Sequence, residues 1–271
     1  GSLRRLLNSL ARGHYPGMPV PLVISFDLGS PEMSTNMANH FDWRFGSKKV
    51  LISTKQLGVR GHWLQMARNF PRKTDLILLE DDVELSPYFF DWVLVSRELV
   101  ASLDEQQRRS VVGISLTVPI MNEIRYPRSE WNFSETGLGD RIYLHQLPTS
   151  WGQLYFSSAW SKFLRFYRAR SRKPFYDFAD EKMPLGAGAA KKKLGNPRLF
   201  LPASRSNSWE RSWKRFMVDF MYFTGSTMLY PFPQPVSSFS YTHQEKGVHV
   251  PGKKASKMVA DLISDVNARA F

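Results

Sequence analysis

Three consecutive carboxylates, Glu80, Asp81 and Asp82, follow the apolar run Leu76–Leu79. A short apolar run that ends at a turn predicts a buried strand, and the Ser86-Pro87 pair beyond it predicts the start of a helix. The carboxylates are therefore expected where a strand ends, which is the edge at which open α/β sheets bind ligands. Because three adjacent acids repel one another, and because hard cations such as Mg²⁺ or Mn²⁺ prefer carboxylate oxygen, the pattern predicts a divalent-cation site. The alternative is a solvated acidic turn that caps a helix.

Three further polar side chains lie close to predicted strand ends or glycine turns. Asp27 closes the predicted strand Val20–Phe26. It could contact the base or ribose of a nucleotide, or it could simply form the turn before Gly29. Gly58 and Gly61 are expected to interrupt the chain ahead of the next helix. Arg60 and His62, which flank Gly61, could reach a nucleotide, whereas an ordinary helix start is the alternative.

His243 and Trp151 are candidates for different chemistry. Neutral imidazole can bind a metal and its N–H can meet an anion, so His243 is a candidate for both roles, although a lone histidine is more often an ordinary packing residue. Trp151, which precedes Gly152, offers a flat apolar ring to the face of a sugar. Packing of Trp151 in the core is the alternative.

Asp219 lies within the aromatic and apolar stretch Phe216–Phe223. Apolar neighbours raise the pKa of a carboxyl group, which suits a general base. The alternative is a helical aspartate that pairs with Lys214 or Arg215 and faces water.

Composition limits the classes of protein to which the chain can belong. Its 271 residues suffice for one large domain or two small ones, and 42% hydrophobic with 14% aromatic residues excludes a disordered protein. The net charge of +13 favours an anionic partner, such as nucleotide phosphates, nucleic acid, an acidic glycan or a membrane surface. The absence of cysteine excludes disulfides and thiolate metal sites. No membrane-crossing run and no signal peptide are expected.

The elements that must position these side chains alternate along the first half of the chain. A helix over Ser2–Leu10 leads to the strand Val20–Phe26, which together are half of a βαβ unit. The strand expected before that helix is not in this sequence, so either the fold starts with a helix or the chain begins inside a larger unit.

The remaining pattern predicts an α/β fold with a mixed, mostly parallel sheet flanked by helices in a single domain. Residues 1–116 are expected to form a nucleotide-binding half that ends beyond the acidic motif, and residues 117–271 an acceptor-binding and catalytic half. Further helices are predicted at Glu32–Phe41, His62–Asn69, Pro87–Leu103, Ala159–Ala169, Trp209–Phe223 and Ala255–Ala270. Further strands are predicted at Lys48–Ser53, Asp75–Leu79, Val111–Leu116, Ile142–Gln146 and Met228–Tyr230, and a mobile basic loop at Lys173–Pro202.

Several segments of the chain resemble segments of the N-acetylglucosaminyltransferase I-type enzymes and occur in the same order along the sequence. The sequence from Glu80 to Phe90 resembles the metal-binding segment of that family. The other similar segments are Leu22–Asp27, Met66–Phe70, Ser150–Leu154, Val218–Met221 and Gln244–Val248.

The resemblance implies a GT-A fold and a metal-dependent, inverting transfer of sugar from a nucleotide-sugar, with UDP-sugars and perhaps UDP-GlcNAc favoured. The cofactor would be Mn²⁺ or Mg²⁺, bound by Asp82. The acceptor would be a glycan or glycoconjugate, possibly anionic, and no nucleic-acid partner is expected. The implied location is the Golgi or ER lumen, with membrane contact only through a segment absent from this chain.

The resemblance also implies roles for individual residues. Asp81 or Glu80 would hold a ribose hydroxyl or metal-bound water, and Asp27 would meet the nucleotide. Asp219 would be the catalytic base, and the turn at Trp151 and Gly152 would lie on the acceptor side.

Two other functions fit the sequence. One is a basic nucleic-acid-binding module. The positive net charge and the aromatic residues that lie between basic ones favour this function. The other is a catalytically inactive GT-A domain that binds nucleotide or glycan without transfer.

Overall fold

The structure is a computed structural model. It describes residues 1–68, 70, 73–119, 121–125, 127, 129–170, 201, 204–209, 211–232, 237–243 and 261–263. Almost all of the predicted basic loop Lys173–Pro202 and most of the predicted helix Ala255–Ala270 lie outside these residues. Asp261–Leu262 form a strand, so the helix prediction is wrong at those two positions.

The helices of the described part agree with the apolar periodicity, except at four places. Helix α3 begins at Gly58, although the glycines at 58 and 61 were expected to interrupt the chain. The short α5 and α6 were not predicted, and α8 begins at Lys214 and not at Trp209. The helices are α1 (Ser2–Ala11), α2 (Glu32–His40), α3 (Gly58–Arg68), α4 (Phe89–Ser102), α5 (Glu105–Ser110), α6 (Phe133–Thr136), α7 (Ser157–Arg170) and α8 (Lys214–Thr224), with a 3₁₀ turn at Arg205–Ser208.

The strands are short, and several pair with partners distant in sequence. They are β1 (Leu22–Phe26), β2 (Lys48–Ile52), β3 (Leu76–Leu78), β4 (Val83–Leu85), β5 (Val111–Ser115), β6 (Met121–Asn122), β7 (Ser129–Glu130), β8 (Tyr143–His145), β9 (Gln153–Tyr155), β10 (Thr227–Tyr230), β11 (Ser237–Ser238), β12 (Ser240–Thr242) and β13 (Asp261–Leu262).

The largest sheet has five strands in the order β3-β9-β5-β10-β8. Among neighbours in this sheet β5 and β10 are parallel, whereas β9 runs antiparallel to both of its neighbours, and β8 is antiparallel to β10. The sheet is therefore mixed, as predicted, but it is not mostly parallel, because three of its four neighbouring pairs are antiparallel. The difference arises because β9 enters the sheet between β3 and β5 from a loop, not through a helical crossover.

Strands β1 and β2 form a separate parallel pair, in which Leu22 lies opposite Lys48 and Phe26 opposite Ile52. Two further pairs bring distant parts of the chain together, because β4 pairs with β12 and β11 pairs with β13. The pairing of β4 with β12 places the residues around 242 beside the acidic motif.

Two hydrophobic clusters hold these layers together. The first joins the apolar face of α1, which buries Leu6 and Leu7, to α4 through Trp92, and it continues into the sheet through Leu154 and Leu229. The second packs α7 against α8, with Phe163 and Phe220 at its centre. The first cluster takes residues from both predicted halves, so the two halves share one core. No helix in the described residues is both long and apolar enough to cross a membrane.

Candidate functional site

A cleft of about 2080 Å³ lies between β1 and β3. Along most of its length its walls are apolar and come from the two strands and from α1 and α4. At the end where the strands stop, its lining becomes charged and aromatic. That end is lined by Asp27, Glu80, Asp81, Asp82, Trp151, Trp209, Arg211, Lys214 and Thr242.

The acidic turn, residues Glu80 to Asp82, connects β3 to β4. The Val83 N–H donates to the Glu80 carbonyl at 3.2 Å, which closes the turn. Strand β4 then begins, and it separates the acids from the helix whose start the Ser86-Pro87 pair predicted. Helix α4 starts at Phe89. The acidic turn is thus held between two strands, each paired with a distant partner.

Polar groups from two distant segments contact the acidic turn. The Thr242 hydroxyl donates to Asp82 Oδ2 at 3.1 Å, and the His243 N–H donates to the Asp82 carbonyl at 3.0 Å. The Ser2 hydroxyl, in the first turn of α1, donates to Asp81 Oδ2 at 3.2 Å. These contacts fix the direction of both aspartates at the mouth of the cleft.

The carboxyl group of Glu80 is strongly perturbed. Burial and, to a smaller extent, the negative charges of Asp82 and Asp81 raise the pKa of Glu80 to about 7, while Lys214 and a hydrogen bond from Trp63 oppose the rise. Repulsion between neighbouring carboxylates is the condition that a bound cation relieves.

The residues present fit a hard divalent cation that is shared with a ligand. Within the described residues, no group of three or more histidine or carboxylate side chains converges on one point, so the protein alone does not complete a coordination sphere. Mg²⁺-type ions are usually held by one or two carboxylates, with phosphate oxygen and water at the other positions. Asp81 and Asp82, which both line the cleft, supply that number.

His243 lies beside the acidic turn, as its predicted role requires. Its Nε2 is 2.8 Å from Glu84 Oε2, and its ring packs edge-on against Tyr241. In this arrangement Glu84 orients the imidazole. Whether His243 binds metal or phosphate stays a prediction.

Asp27 lines the cleft, but its carboxylate also accepts hydrogen bonds from backbone N–H groups. It accepts the N–H groups of Leu57 at 2.9 Å and of Gly58 at 2.7 Å, at the start of α3. Burial acts to raise the pKa of Asp27. The hydrogen bonds from these two N–H groups and from the Leu28 N–H, together with the charge of His62, outweigh burial and hold the pKa below its usual value. The structure therefore supports the turn-forming role, and a contact with nucleotide stays a prediction.

Arg60 lies outside the cleft lining. Its guanidinium carbon is 5.7 Å from the centre of the Phe216 ring, on the side of α3 that faces α8. The structure does not bring Arg60 together with the acidic turn, whereas His62, two positions further on, does line the cleft and has its Nε2 2.7 Å from the Ser25 hydroxyl.

Trp151 lines the cleft at its charged end, and Gly152 forms the turn behind it. Gly152 has a φ of +104°, and a Cβ at this position would lie 2.8 Å from the Ser240 hydroxyl. The glycine is therefore required by backbone conformation and by the close approach of β12. Trp151 therefore supplies the ring that lines the cleft, and Gly152 serves only the backbone turn.

Asp219 lies in the core between α7 and α8 and not in the cleft lining. The residue is 1% exposed, and its Oδ2 is 3.5 Å from Arg170 Nε. Burial raises the pKa of Asp219 to about 6, and Arg170 and Arg215 limit the rise. The predicted raised pKa is present. The alternative of a water-facing aspartate paired with Lys214 or Arg215 is wrong about the exposure and about Lys214, which pairs with Glu123, although the charge of Arg215 does act on Asp219. The role as catalytic base stays a prediction.

Lys214 is the main cleft residue that the sequence did not indicate as functional. It is 5% exposed, and its Nζ is 2.6 Å from Glu123 Oε2. The same Nζ lies 5.8 Å from the centre of the Trp151 ring and 5.9 Å from that of Trp209. A tryptophan-rich run ahead of a lysine was the available signal, but its partner Glu123 is 91 positions away in sequence.

The chain matches no known protein-family model and no curated protein in a sequence comparison. Function is therefore argued from the geometry of the cleft.

Proposed function

We propose that this chain is a metal-dependent glycosyltransferase that transfers a sugar from a nucleotide-sugar to a glycan or glycoconjugate hydroxyl. The observation that carries the proposal is the acidic turn at the end of β3, which opens on a large cleft that Lys214 and Trp151 also line. Carboxylates for a cation, a cationic side chain and an aromatic face are the groups that a diphosphate and a sugar need.

Asp82 is the first ligand of the cation in this proposal, and Asp81 the second or the group that orders bound water. A divalent ion held there would act as a Lewis acid that neutralises the charge of a leaving diphosphate. Thr242 and Ser2 keep the two carboxylates directed to the cleft through the hydrogen bonds described above. Glu80 is desolvated, accepts a hydrogen bond from Trp63 and lies near the Lys214 charge.

The acceptor is assigned to the Trp151 side of the cleft. Its indole ring offers a flat apolar surface, and the positive charge of Lys214 above the ring favours an acceptor that carries negative charge. The cleft volume exceeds that of a typical small-molecule pocket, which leaves room for donor and acceptor together.

The donor, the stereochemistry and the compartment are proposed on the resemblance alone. It favours UDP-GlcNAc over other UDP-sugars, any UDP-sugar over GDP-mannose, inversion at the transferred carbon, and a Golgi or ER lumenal enzyme. A general base is needed for inversion, and Asp219 stays the candidate.

Release of UDP from UDP-GlcNAc in the presence of Mn²⁺ tests the proposal. Asp82→Ala should abolish metal-dependent turnover and leave the melting temperature within a few degrees of wild type, because a turn residue at a strand end contributes little to the core. Asp42→Ala is the matched control, since Asp42 is an exposed aspartate paired with Arg44 far from the cleft. Unchanged metal-dependent turnover in a folded Asp82→Ala variant would overturn the assignment.

A further inference from the structure

A sugar transfer with inversion needs a base within hydrogen-bond reach of the acceptor hydroxyl. The resemblance assigns this role to Asp219, which is 1% exposed and lies outside the cleft lining. The side chains that line the cleft are the ones that an acceptor in the cleft can contact. Within the described residues, the carboxylate and histidine side chains of this lining are Asp27, His62, Asp75, Glu80, Asp81, Asp82 and Glu123.

Other contacts already occupy most of these groups. Backbone N–H groups at the start of α3 hold Asp27, and Asp75 Oδ2 pairs with Arg97 at 2.6 Å. The Nε2 of His62 lies 2.7 Å from a serine hydroxyl of β1. The acidic turn is assigned to the cation. Among the described residues of the lining, the remaining carboxylate is that of Glu123.

Glu123 lies in the turn that follows β6, and the backbone of this turn is fixed. The Glu123 carbonyl accepts Arg205 Nη1 at 3.1 Å, and the Ile124 carbonyl accepts the Arg205 N–H at 2.9 Å. The Glu123 side chain is 12% exposed, so it is largely shielded from bulk water. A carboxylate that the surrounding structure holds in place, away from bulk water, is positioned for proton transfer before the substrate arrives.

Lys214 places Glu123 on the acceptor side of the cleft. Its Nζ is 2.6 Å from Glu123 Oε2 and 5.8 Å from the centre of the Trp151 ring, to which the acceptor is assigned. Lys214, Trp151 and the acidic turn all line the charged end of the cleft. Because Lys214 holds Oε2, and because Oε1 has no hydrogen-bond partner among the described residues, Oε1 is the oxygen that can accept a proton.

We propose that Glu123 is the general base of the sugar transfer and that Lys214 orients it. Glu123 takes the proton of the acceptor hydroxyl while the hydroxyl oxygen forms its bond to the sugar carbon. The bond from that carbon to the diphosphate oxygen breaks, and the diphosphate leaves with the electron pair. This inference rests on the proposed glycosyltransferase function, and it gives Glu123 the role that the resemblance gives to Asp219.

Mn²⁺-dependent release of UDP from UDP-GlcNAc, with water as the acceptor, tests the assignment. In Glu123→Gln, kcat should fall by roughly 10²–10⁴-fold, which is the usual contribution of a general base. Calorimetric binding of UDP with Mn²⁺ should stay within a few-fold of wild type, which also shows that the variant is folded. Glu130→Gln is the matched control and should leave kcat unchanged, because Glu130 is an exposed glutamate on β7, the partner strand of β6.

Rescue by azide provides a check that a loss of folding cannot imitate. The azide anion carries no proton, so its attack on the sugar carbon needs no base, and Glu123→Ala leaves space for it beside Lys214. Azide should raise donor consumption by Glu123→Ala at least about tenfold and yield an N-acetylglucosaminyl azide that mass spectrometry detects. It should not rescue Asp82→Ala, because that variant lacks the carboxylate assigned to the cation.

The outcomes separate this assignment from the proposed function. If wild type shows no Mn²⁺-dependent release of UDP, the glycosyltransferase function is overturned and the assignment of Glu123 with it. If wild type is active and Glu123→Gln turns over within a few-fold of it, the assignment alone is overturned. Loss of UDP binding in Glu123→Gln, or an inactive Glu123→Ala that azide does not rescue, would also overturn the assignment, because Glu123 would then serve binding or folding.

Discussion

Among the single residues of the site, the three acids of the turn differ in what surrounds them. Asp81 and Asp82 each accept a hydroxyl hydrogen bond and face the cleft, whereas Glu80 is desolvated and has a pKa near 7. The sequence predicted the acidic cluster and its position after a strand. It assigned the metal to Asp82 but did not predict the contacts of Thr242 with Asp82 and of Ser2 with Asp81, because these residues reach the turn only through the fold.

Gly152→Ala should destabilise the protein by about 2–4 kcal/mol, because an alanine would combine a strained positive φ with a contact against Ser240. Gly137→Ala is the matched control, since Gly137 also has a positive φ but nothing lies within 4 Å of an added Cβ. The control should cost only about 1 kcal/mol in urea unfolding. Equal losses in the two variants would show that the approach of β12 to Gly152 is not close.

Asp219 should make stability depend on pH. Its pKa is raised in the folded state from 3.8 to about 6, so its contribution is fully present below about pH 4 and is lost as the pH rises through 6. Asp219→Asn should remove up to about 3 kcal/mol of that loss between pH 4 and pH 7. Urea unfolding at the two pH values measures the change, with Asp42→Asn as the exposed control. A pH dependence identical to wild type would contradict the burial of this carboxyl.

The same Asp219→Asn variant tests the catalytic prediction separately. If Asp219 is the base, kcat should fall by roughly 10²–10⁴-fold while binding of metal and nucleotide survives. Turnover within a few-fold of wild type would place the base elsewhere. Because Asp219 lies in the core and outside the cleft lining, this experiment is a stricter test of its predicted role than the pH experiment.

At the scale of helices and strands, the sequence predicted an element correctly where the residues of that element alone show its hydrophobic pattern. The leucine spacing of α1 predicted both the helix and its buried face. Helix α3 differed because its start depends on Asp27, 31 positions before Gly58. The glycines looked like breaks in the sequence, but backbone N–H groups donated to a distant carboxylate allow the helix to begin there.

Lys214 should couple the start of α8 to the loop that carries Glu123. Lys214→Met should cost about 3 kcal/mol, because it leaves the Glu123 carboxylate buried without its partner. Adding Glu123→Gln should recover much of the loss. The control is Arg109→Met, which breaks the exposed Arg109–Glu105 pair within α5 and should cost less than about 0.5 kcal/mol. Similar losses for Lys214→Met and Arg109→Met would show that the Lys214 pair is not buried.

For the whole molecule, composition and alternation predicted an α/β fold, and the structure has a mixed sheet flanked by helices. The order of the sheet could not be predicted, because β9 is three residues long and its insertion between β3 and β5 is decided by tertiary packing. The same limit applied to Asp219, whose partner Arg170 lies on another helix. The predicted halves, 1–116 and 117–271, stay a prediction.

The charge of the whole chain separates the proposed enzyme from the nucleic-acid-binding alternative. A net charge of +13 attracts any polyanion, but the acidic turn repels phosphate unless a cation is bound there. Metal-dependent binding of a diphosphate is therefore expected of the enzyme, and salt-sensitive, metal-independent binding of an oligonucleotide is expected of the alternative.

The most direct measurement is a calorimetric titration of UDP into the chain at constant ionic strength, with Mn²⁺ and then with the metal removed by chelation. Our account predicts saturable binding that requires the metal, weakens at least about tenfold on chelation, and is lost in Asp82→Ala but not in Asp42→Ala. UDP binding of equal strength with and without metal, or binding of GDP-mannose alone, would contradict it.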